Sequence, residues 1–140
     1  MKKLIVFIAA ATLLAGCNTD KTVKPDALLH HRFELVQANG NAVDVGESGL
    51  RPYIEFGENF AINGKMCNSF VGQATYKEGE LTSPGLASTK MLCADEQLNQ
   101  LDNVIGQVLV NGAKVSMEGD KLTLKSSDNT LVYELKDVMN

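Results

Sequence analysis

Apolar residues alternate with polar ones along most of this chain, and one segment breaks that alternation. A spacing of two places apolar side chains on one face of a β-strand, whereas a spacing of three and four places them on one face of a helix. The helical spacing occurs in residues 95–110, whose apolar stripe is Leu98, Leu101, Ile105 and Val108. Because no β-α-β alternation is present, the pattern predicts an α+β, mostly β protein with one long helix.

Residues at both ends of this segment fit a helix. Asp95 is a typical N-cap, and Glu96 places a negative charge in the first turn, where the helix dipole favours it. Asn111 and Gly112 are typical of a helix end. We expect a curled antiparallel sheet, or partial barrel, with the apolar stripe of the helix packed on its concave face.

Candidate strands lie on both sides of the predicted helix. They are residues 32–37, 53–56, 60–62, 70–76, 115–117, 122–124 and 131–135. Asn39-Gly40 predicts a tight turn after the first strand, and residues 118–120 (Glu-Gly-Asp) predict a hairpin. Pro25 favours a short helical turn before the first strand.

The first seventeen residues have the layout of a secretory signal. Lys2 and Lys3 precede an apolar run from Leu4 to Ala15, which is too short to span a bilayer. Residues 14–17 (Leu-Ala-Gly-Cys) resemble the lipobox of bacterial lipoproteins, whose cysteine becomes the acylated first mature residue. The alternative is a buried apolar helix with an incidental cysteine. We expect a signal peptide at 1–16 and lipidation of Cys17.

The lipid would anchor the rest of the chain to a membrane. Two or more acyl chains give stable attachment, whereas one chain gives only marginal binding. Residues 17–24 are short and polar and predict a lipidated tether, followed by a single domain over 25–140. Asn18 follows the cysteine, and by resemblance to enteric lipoproteins this favours the outer membrane over the inner one. We expect a domain that faces the periplasm.

Cys67 and Cys93 form an even pair in the body of the chain. In an oxidising compartment such a pair favours a disulfide, and the alternative is two buried free thiols, which only geometry can distinguish. His30 and His31 adjoin the tether, and two thiols alone cannot complete a tetrahedral zinc site. We therefore expect no bound metal.

Charge and motifs narrow the class of function. The net charge is -4, and a nucleic-acid-binding protein normally needs a basic face. Nucleophile elbows, Walker loops, dinucleotide fingerprints and zinc-protease motifs do not occur in the sequence. Thiol redox chemistry is a remote alternative, because the cysteines do not form a Cys-x-x-Cys pair. We expect no catalytic residues, no cofactor and no nucleic-acid partner.

Two segments carry a family resemblance. Residues 64–72 (Gly-Lys-Met-Cys-Asn-Ser-Phe-Val-Gly) and residues 89–93 (Thr-Lys-Met-Leu-Cys) resemble the signature of the META domain family. The signature residues are Gly64, Cys67, Asn68, Phe70, Gly72, Thr89, Met91 and Cys93. The resemblance implies a curled antiparallel sheet with a packed helix. It also implies a heat-inducible role in envelope stress and drug tolerance, with no established reaction.

Each signature residue also has a structural interpretation. The two glycines suit turns or bulges where a side chain would not fit. Asn68 suits an Asx turn in its own loop, Thr89 suits a bond to a backbone carbonyl, and Phe70 and Met91 suit the core. The functional interpretation is a polar pocket around Asn68 and Thr89.

Two classes of function remain open. One is a monomeric interaction protein that stabilises envelope components under stress. The other is a module that binds an apolar ligand or lipid inside a curled sheet, as some secretion pilotins do. A concave face filled by the helix would favour the first class, and an empty gap would favour the second.

Overall fold

The computed structural model describes residues 22–45 and 49–138. The predicted signal peptide, Cys17, residues 18–21 of the predicted tether and the last two residues lie outside the described part of the chain.

The described residues form eleven strands, one α-helix and two short 3₁₀ turns. The strands are β1 (His31–Ala38), β2 (Asn41–Ala42), β3 (Tyr53–Phe56), β4 (Ala61–Lys65), β5 (Ser69–Gln73), β6 (Thr75–Lys77), β7 (Glu80–Thr82), β8 (Ala87–Ser88), β9 (Ala113–Glu118), β10 (Lys121–Lys125) and β11 (Thr130–Val138). The helix α1 is Glu96–Asn111, and the 3₁₀ turns are Pro25–Ala27 and Glu58–Phe60.

All eleven strands belong to one antiparallel sheet. Its order is β6-β7-β9-β10-β11-β1-β3-β4-β5-β8, with β2 paired to β1 beside this path. The sheet curls into a half-barrel, and the helix is the one α-helix of the described residues. The predicted fold class is therefore confirmed.

The helix forms where its pattern and caps predict it. The Asp95 carboxylate accepts a hydrogen bond from the Gln97 amide at 2.9 Å, as an N-cap does. At the other end Gly112 has φ +96°, which glycine adopts without strain, and its amide donates to the Val108 carbonyl.

The apolar stripe of α1 packs on the concave face of the sheet. The buried helix residues are Leu101, Ile105, Val108 and Leu109, and Leu98 is partly buried beside them. They join one apolar cluster with fully buried strand residues such as Phe33 and Tyr133. Within the part of the chain described, no helix has both the length and the apolarity that a bilayer crossing needs.

The predicted strand 70–76 is in fact two strands. Ala74 separates β5 from β6, and its amide donates to the Phe60 carbonyl at 2.9 Å and not to a neighbouring strand. After Ala74 the chain continues as β6, which pairs with β7. These two strands begin the strand order, whereas β5 and β8 end it. The alternation continues through the break because Ala74 and Tyr76 still face the core.

Candidate functional site

The two signature glycines lie inside strands and not in turns. Gly64 is opposite Phe70 in the pairing of β4 with β5, and a Cβ at Gly64 would lie 2.5 Å from the Phe70 ring and in conflict with the Tyr53 carbonyl. A Cβ at Gly72 would lie 2.8 Å from the Ser83 hydroxyl. Close approach of neighbours, and no special backbone angle, explains both glycines: the Tyr53 backbone excludes a side chain at Gly64, and at Gly72 a side chain would displace Ser83 or Leu86.

Cys67 and Cys93 form a disulfide, with their Cα atoms 5.9 Å apart. Cys67 follows β4 and is almost fully buried, whereas Cys93 precedes the N-cap of α1. The bridge ties the loop between β4 and β5 to the start of the helix. The sequence left a disulfide and two buried free thiols as alternatives, and the structure has the disulfide.

The Asn68 side chain is the centre of a polar cluster. Its Oδ1 accepts hydrogen bonds from the Met91 amide at 2.7 Å and from the Thr89 hydroxyl at 2.8 Å. Its Nδ2 donates to the Met91 carbonyl at 3.0 Å and to Asp102 Oδ2 at 2.7 Å. The expected Asx turn is therefore wrong, because the amide reaches across to Met91 and pairs with its backbone as a strand residue would.

The carboxylate of Asp102 completes this cluster. Asp102 Oδ1 accepts hydrogen bonds from the backbone amides of Cys67 at 3.0 Å and Asn68 at 2.9 Å. Sequence reasoning missed this residue. A signal was present, since Asp102 lies four positions after Leu98 and so places a charge beside the apolar stripe of the helix.

Two further expectations at the signature need correction. The Thr89 hydroxyl donates its one proton to the Asn68 side chain, and accepts from the Ser69 amide at 3.2 Å, so it does not donate to a backbone carbonyl as expected. Met91 is 60% exposed, whereas Phe70 is buried as expected. Asn68 fixes the backbone of Met91, and the side chain of Met91 points out of the core.

A second side-chain amide holds the chain just before the helix. Asn99 Oδ1 accepts from the Cys93 amide at 2.9 Å, and Asn99 Nδ2 donates to the Cys93 carbonyl at 2.8 Å. The backbone of residues 91–93 is thus held by Asn68 at one end and by Asn99 and the disulfide at the other.

An open groove lies beside this cluster, between residues 88–92 and the exposed side of α1. We call it the edge groove; its volume is about 920 Å³. Its apolar exposed side chains are Met91, Leu92 and Val110, and Gly106 is part of its helical wall. Asn68 and Asp102 of the polar cluster are also part of its lining.

His31 and Tyr133 take no part in the cluster around Asn68. The ring of His31 bonds the Leu29 carbonyl through Nδ1 at 2.7 Å. Residues 22–45 and 49–138 hold no group of three or more His, Cys, Asp or Glu side chains suited to a metal ion. The Tyr133 hydroxyl lies in the core without a hydrogen-bond partner among the described residues, and burial raises the pKa of Tyr133.

Comparison with known proteins identifies relatives of this chain. The sequence profile of the META domain matches residues 26–138. The chain is 46% identical to "Heat shock protein HslJ" of Escherichia coli (strain K12) over the full length of both. A protein structure solved by NMR, also 46% identical, covers 85% of this chain and all of its own, with a TM-score of 0.77.

A more distant structure supports the fold alone. It is an NMR structure of a protein from Burkholderia xenovorans, 19% identical, with a TM-score of 0.64. It covers 86% of this chain and 93% of its own length.

Proposed function

Because this chain belongs to the META domain family, we propose that it is a non-catalytic envelope protein that protects cells during heat and drug stress by binding and stabilising other proteins. The heat-shock name of its full-length relative supports the stress role. The family resemblance supports the proposed drug-tolerance role, toward compounds of the novobiocin type.

One observation carries the non-catalytic part of the proposal. Both polar atoms of the Asn68 side chain and both oxygens of Asp102 are engaged in hydrogen bonds within the protein. Catalysis needs a group free to meet a substrate atom. Asn68 instead holds the backbone of Met91, and Asp102 holds the backbone amides of Cys67 and Asn68, which supports a scaffold role.

The lipobox at residues 14–17 supports a position at the membrane. We propose that acylated Cys17 anchors the domain to the outer membrane, with the domain in the periplasm. In that compartment the disulfide between Cys67 and Cys93 is stable.

The interior supports protein binding over an internal lipid site. A lipid-binding half-barrel needs space between helix and sheet, but Leu101, Ile105 and Val108 are at most 4% exposed. The cavity between Ile105 on the helix and Phe70 on the sheet is about 190 Å³, which is smaller than a typical ligand site. Burial of Cys67 within the bridge likewise disfavours thiol exchange.

The test is survival of a strain that lacks the gene, measured after heat shock and during novobiocin treatment. We expect lower survival than the parent strain, full rescue by the wild-type gene, and reduced rescue by Cys17→Ala, which loses its anchor. Palmitate labelling and membrane fractionation verify the loss of the anchor.

Unchanged survival of the deletion strain under both stresses would contradict the stress role. Palmitate labelling of Cys17→Ala equal to that of the wild type would contradict lipidation at Cys17. Full rescue by an unlabelled, soluble Cys17→Ala protein would show that the anchor is dispensable.

A further inference from the structure

We propose that the edge groove binds an extended, uncharged polypeptide segment, which pairs as an added strand with residues 86–92. These residues, which include β8, are called the edge segment. This inference rests on the proposed function and names the class of partner that it requires.

The edge segment has an open hydrogen-bonding side. β8 is the last strand of the sheet order, so among the described residues only one of its sides is paired, with β5. The Thr89 amide donates to the Ser69 carbonyl, so the alternation of an antiparallel ladder directs the backbone groups of Ser88 and Lys90 outward. An unpaired edge of this kind is a template for another strand.

Residues 90–92 of the edge segment also have backbone groups that face outward without a partner among the described residues. No hydrogen bond within the described residues involves the backbone of Lys90 or Leu92. Between them, Met91 is tied inward to Asn68 through both its amide and its carbonyl. Bonded and unbonded residues therefore alternate, which is the spacing that a docked strand matches.

The helical wall of the groove carries no free charge. Of the sixteen residues of α1, the charged ones are Glu96 and Asp102, and the oxygens of Asp102 are already bonded to the loop. The exposed wall presents amides, and those of Asn103 and Asn111 have no hydrogen-bond partner among the described residues. Lys90 is the exposed charged side chain of the groove.

This charge pattern selects the chemistry of the partner. Apart from Lys90, whose exposed side chain can stay in water, the groove offers no free charge to pair with a charged segment. Interface centres are depleted in charged residues, and neutral amides suit peptide groups and uncharged side chains. Exposed Met91 and Leu92 add apolar contacts, and methionine adapts to varied side chains.

The dimensions fit a short segment. The helical wall runs from Asn99 to Asn111, which at the rise of an α-helix is roughly 18 Å. A strand of about five or six residues has the same length. The disulfide and the bonds of Asn68 and Asn99 fix the edge before binding, which lowers the entropic cost of association.

Gly106 provides a way to block the groove without disturbing the core. Outside its own helical turns, a Cβ at Gly106 would meet no atom of the described residues within 4 Å. Gly106→Phe therefore places a ring in the groove, whereas Gly106→Ala leaves it open and serves as the matched control. Lys90→Pro removes an outward backbone amide that has no partner within residues 22–45 and 49–138, and Lys90→Ala keeps that amide while removing the charge.

The experiment measures binding of a fluorescein-labelled, amidated hexapeptide of alternating threonine and valine to the purified protein by fluorescence anisotropy. A second peptide has the same side chains but methylated internal backbone nitrogens. We expect the methylated peptide, Gly106→Phe and Lys90→Pro each to weaken binding by about tenfold or more, and Gly106→Ala and Lys90→Ala to stay within about twofold of the wild type.

Several results would overturn the inference. These are no binding of the unmodified peptide, equal binding of the methylated peptide, or wild-type affinity of folded Gly106→Phe. Displacement of the peptide by equimolar palmitate would assign the groove to an apolar ligand. Sedimentation showing a dimer that Lys90→Pro dissociates would assign it to a second copy of this chain.

The experiment still tests the inference if a variant fails to fold. If circular dichroism shows that Gly106→Phe or Lys90→Pro is unfolded, the comparison of the two peptides on wild-type protein decides. Failure here is also distinct from failure of the proposed function, because survival of the deletion strain is measured without any peptide.

Discussion

Removal of the Asp102 carboxylate is the sharpest test of how the loop between β4 and β5 is held. This carboxylate accepts three N–H groups: the backbone amides of Cys67 and Asn68, at 3.0 and 2.9 Å, and the Asn68 side chain at 2.7 Å. Cys67 and Asn68 are at most 6% exposed. Asp102→Ala leaves all three donors without their acceptor.

The expected cost follows from these contacts. A buried donor that loses its partner costs about 1–3 kcal/mol, which for three donors gives an upper range near 9 kcal/mol. The edge groove borders Asp102, so water reaches some of these donors, and losses within one network do not add. Alanine also has a higher helix propensity, by about 0.5 kcal/mol. We therefore expect Asp102→Ala to lower the free energy of unfolding by about 3–5 kcal/mol.

Asp102→Asn separates the acceptor role from the volume of the side chain. One oxygen remains for the two backbone amides, but the new NH₂ group faces the Asn68 NH₂ group, and two donors cannot bond each other. We expect Asp102→Asn to lower the free energy of unfolding by about 1.5–3 kcal/mol, which is less than the loss expected for Asp102→Ala.

Urea unfolding followed by far-UV circular dichroism measures both losses, since the chain contains no Trp for fluorescence. Asn103→Ala is the matched control: it is the next helix residue, it is exposed, and it should change stability by less than about 0.5 kcal/mol. A loss below about 1 kcal/mol for Asp102→Ala, or an equal loss for Asn103→Ala, would refute the reasoning.

Two further predictions concern the core. Leu101→Ala should lower the free energy of unfolding in urea by about 2–5 kcal/mol because Leu101 is buried under the sheet, and a loss below about 1 kcal/mol would contradict that burial. Tyr133→Phe should leave stability unchanged or raise it by up to about 1 kcal/mol, because the hydroxyl is buried without a partner. Burial raises the pKa of Tyr133 above 10.0, so above that pH the unfolded state releases a proton that the folded state keeps, and stability falls. Tyr133→Phe should lose this part of the alkaline fall, and an identical pH profile for both proteins would count against it.

The helix and its packing were predictable because their causes are local. The Asp95 cap, the apolar stripe and Gly112 are adjacent in sequence, and each contributes by itself. The hairpin of β9 and β10 was predictable for the same reason, since Gly119 adopts its left-handed angle within the turn.

The polar cluster around Asn68 was not predictable because its members are distant in sequence. Nothing near Asn68 indicates that its amide pairs with Met91, or that Asp102 on the helix accepts from the loop. The edge segment also lacks strand periodicity, because side-chain bonds and the disulfide position its backbone. The break at Ala74 depends likewise on a distant carbonyl, that of Phe60.

The most direct test of protein binding at the edge groove is the stress survival of a deletion strain that carries Gly106→Phe or Gly106→Ala, with equal protein abundance confirmed by immunoblot. Gly106→Ala should restore survival under heat and novobiocin to the wild-type level, and Gly106→Phe should not, because its ring occupies the groove. Full restoration by Gly106→Phe at equal abundance would contradict a role for the groove in stress protection.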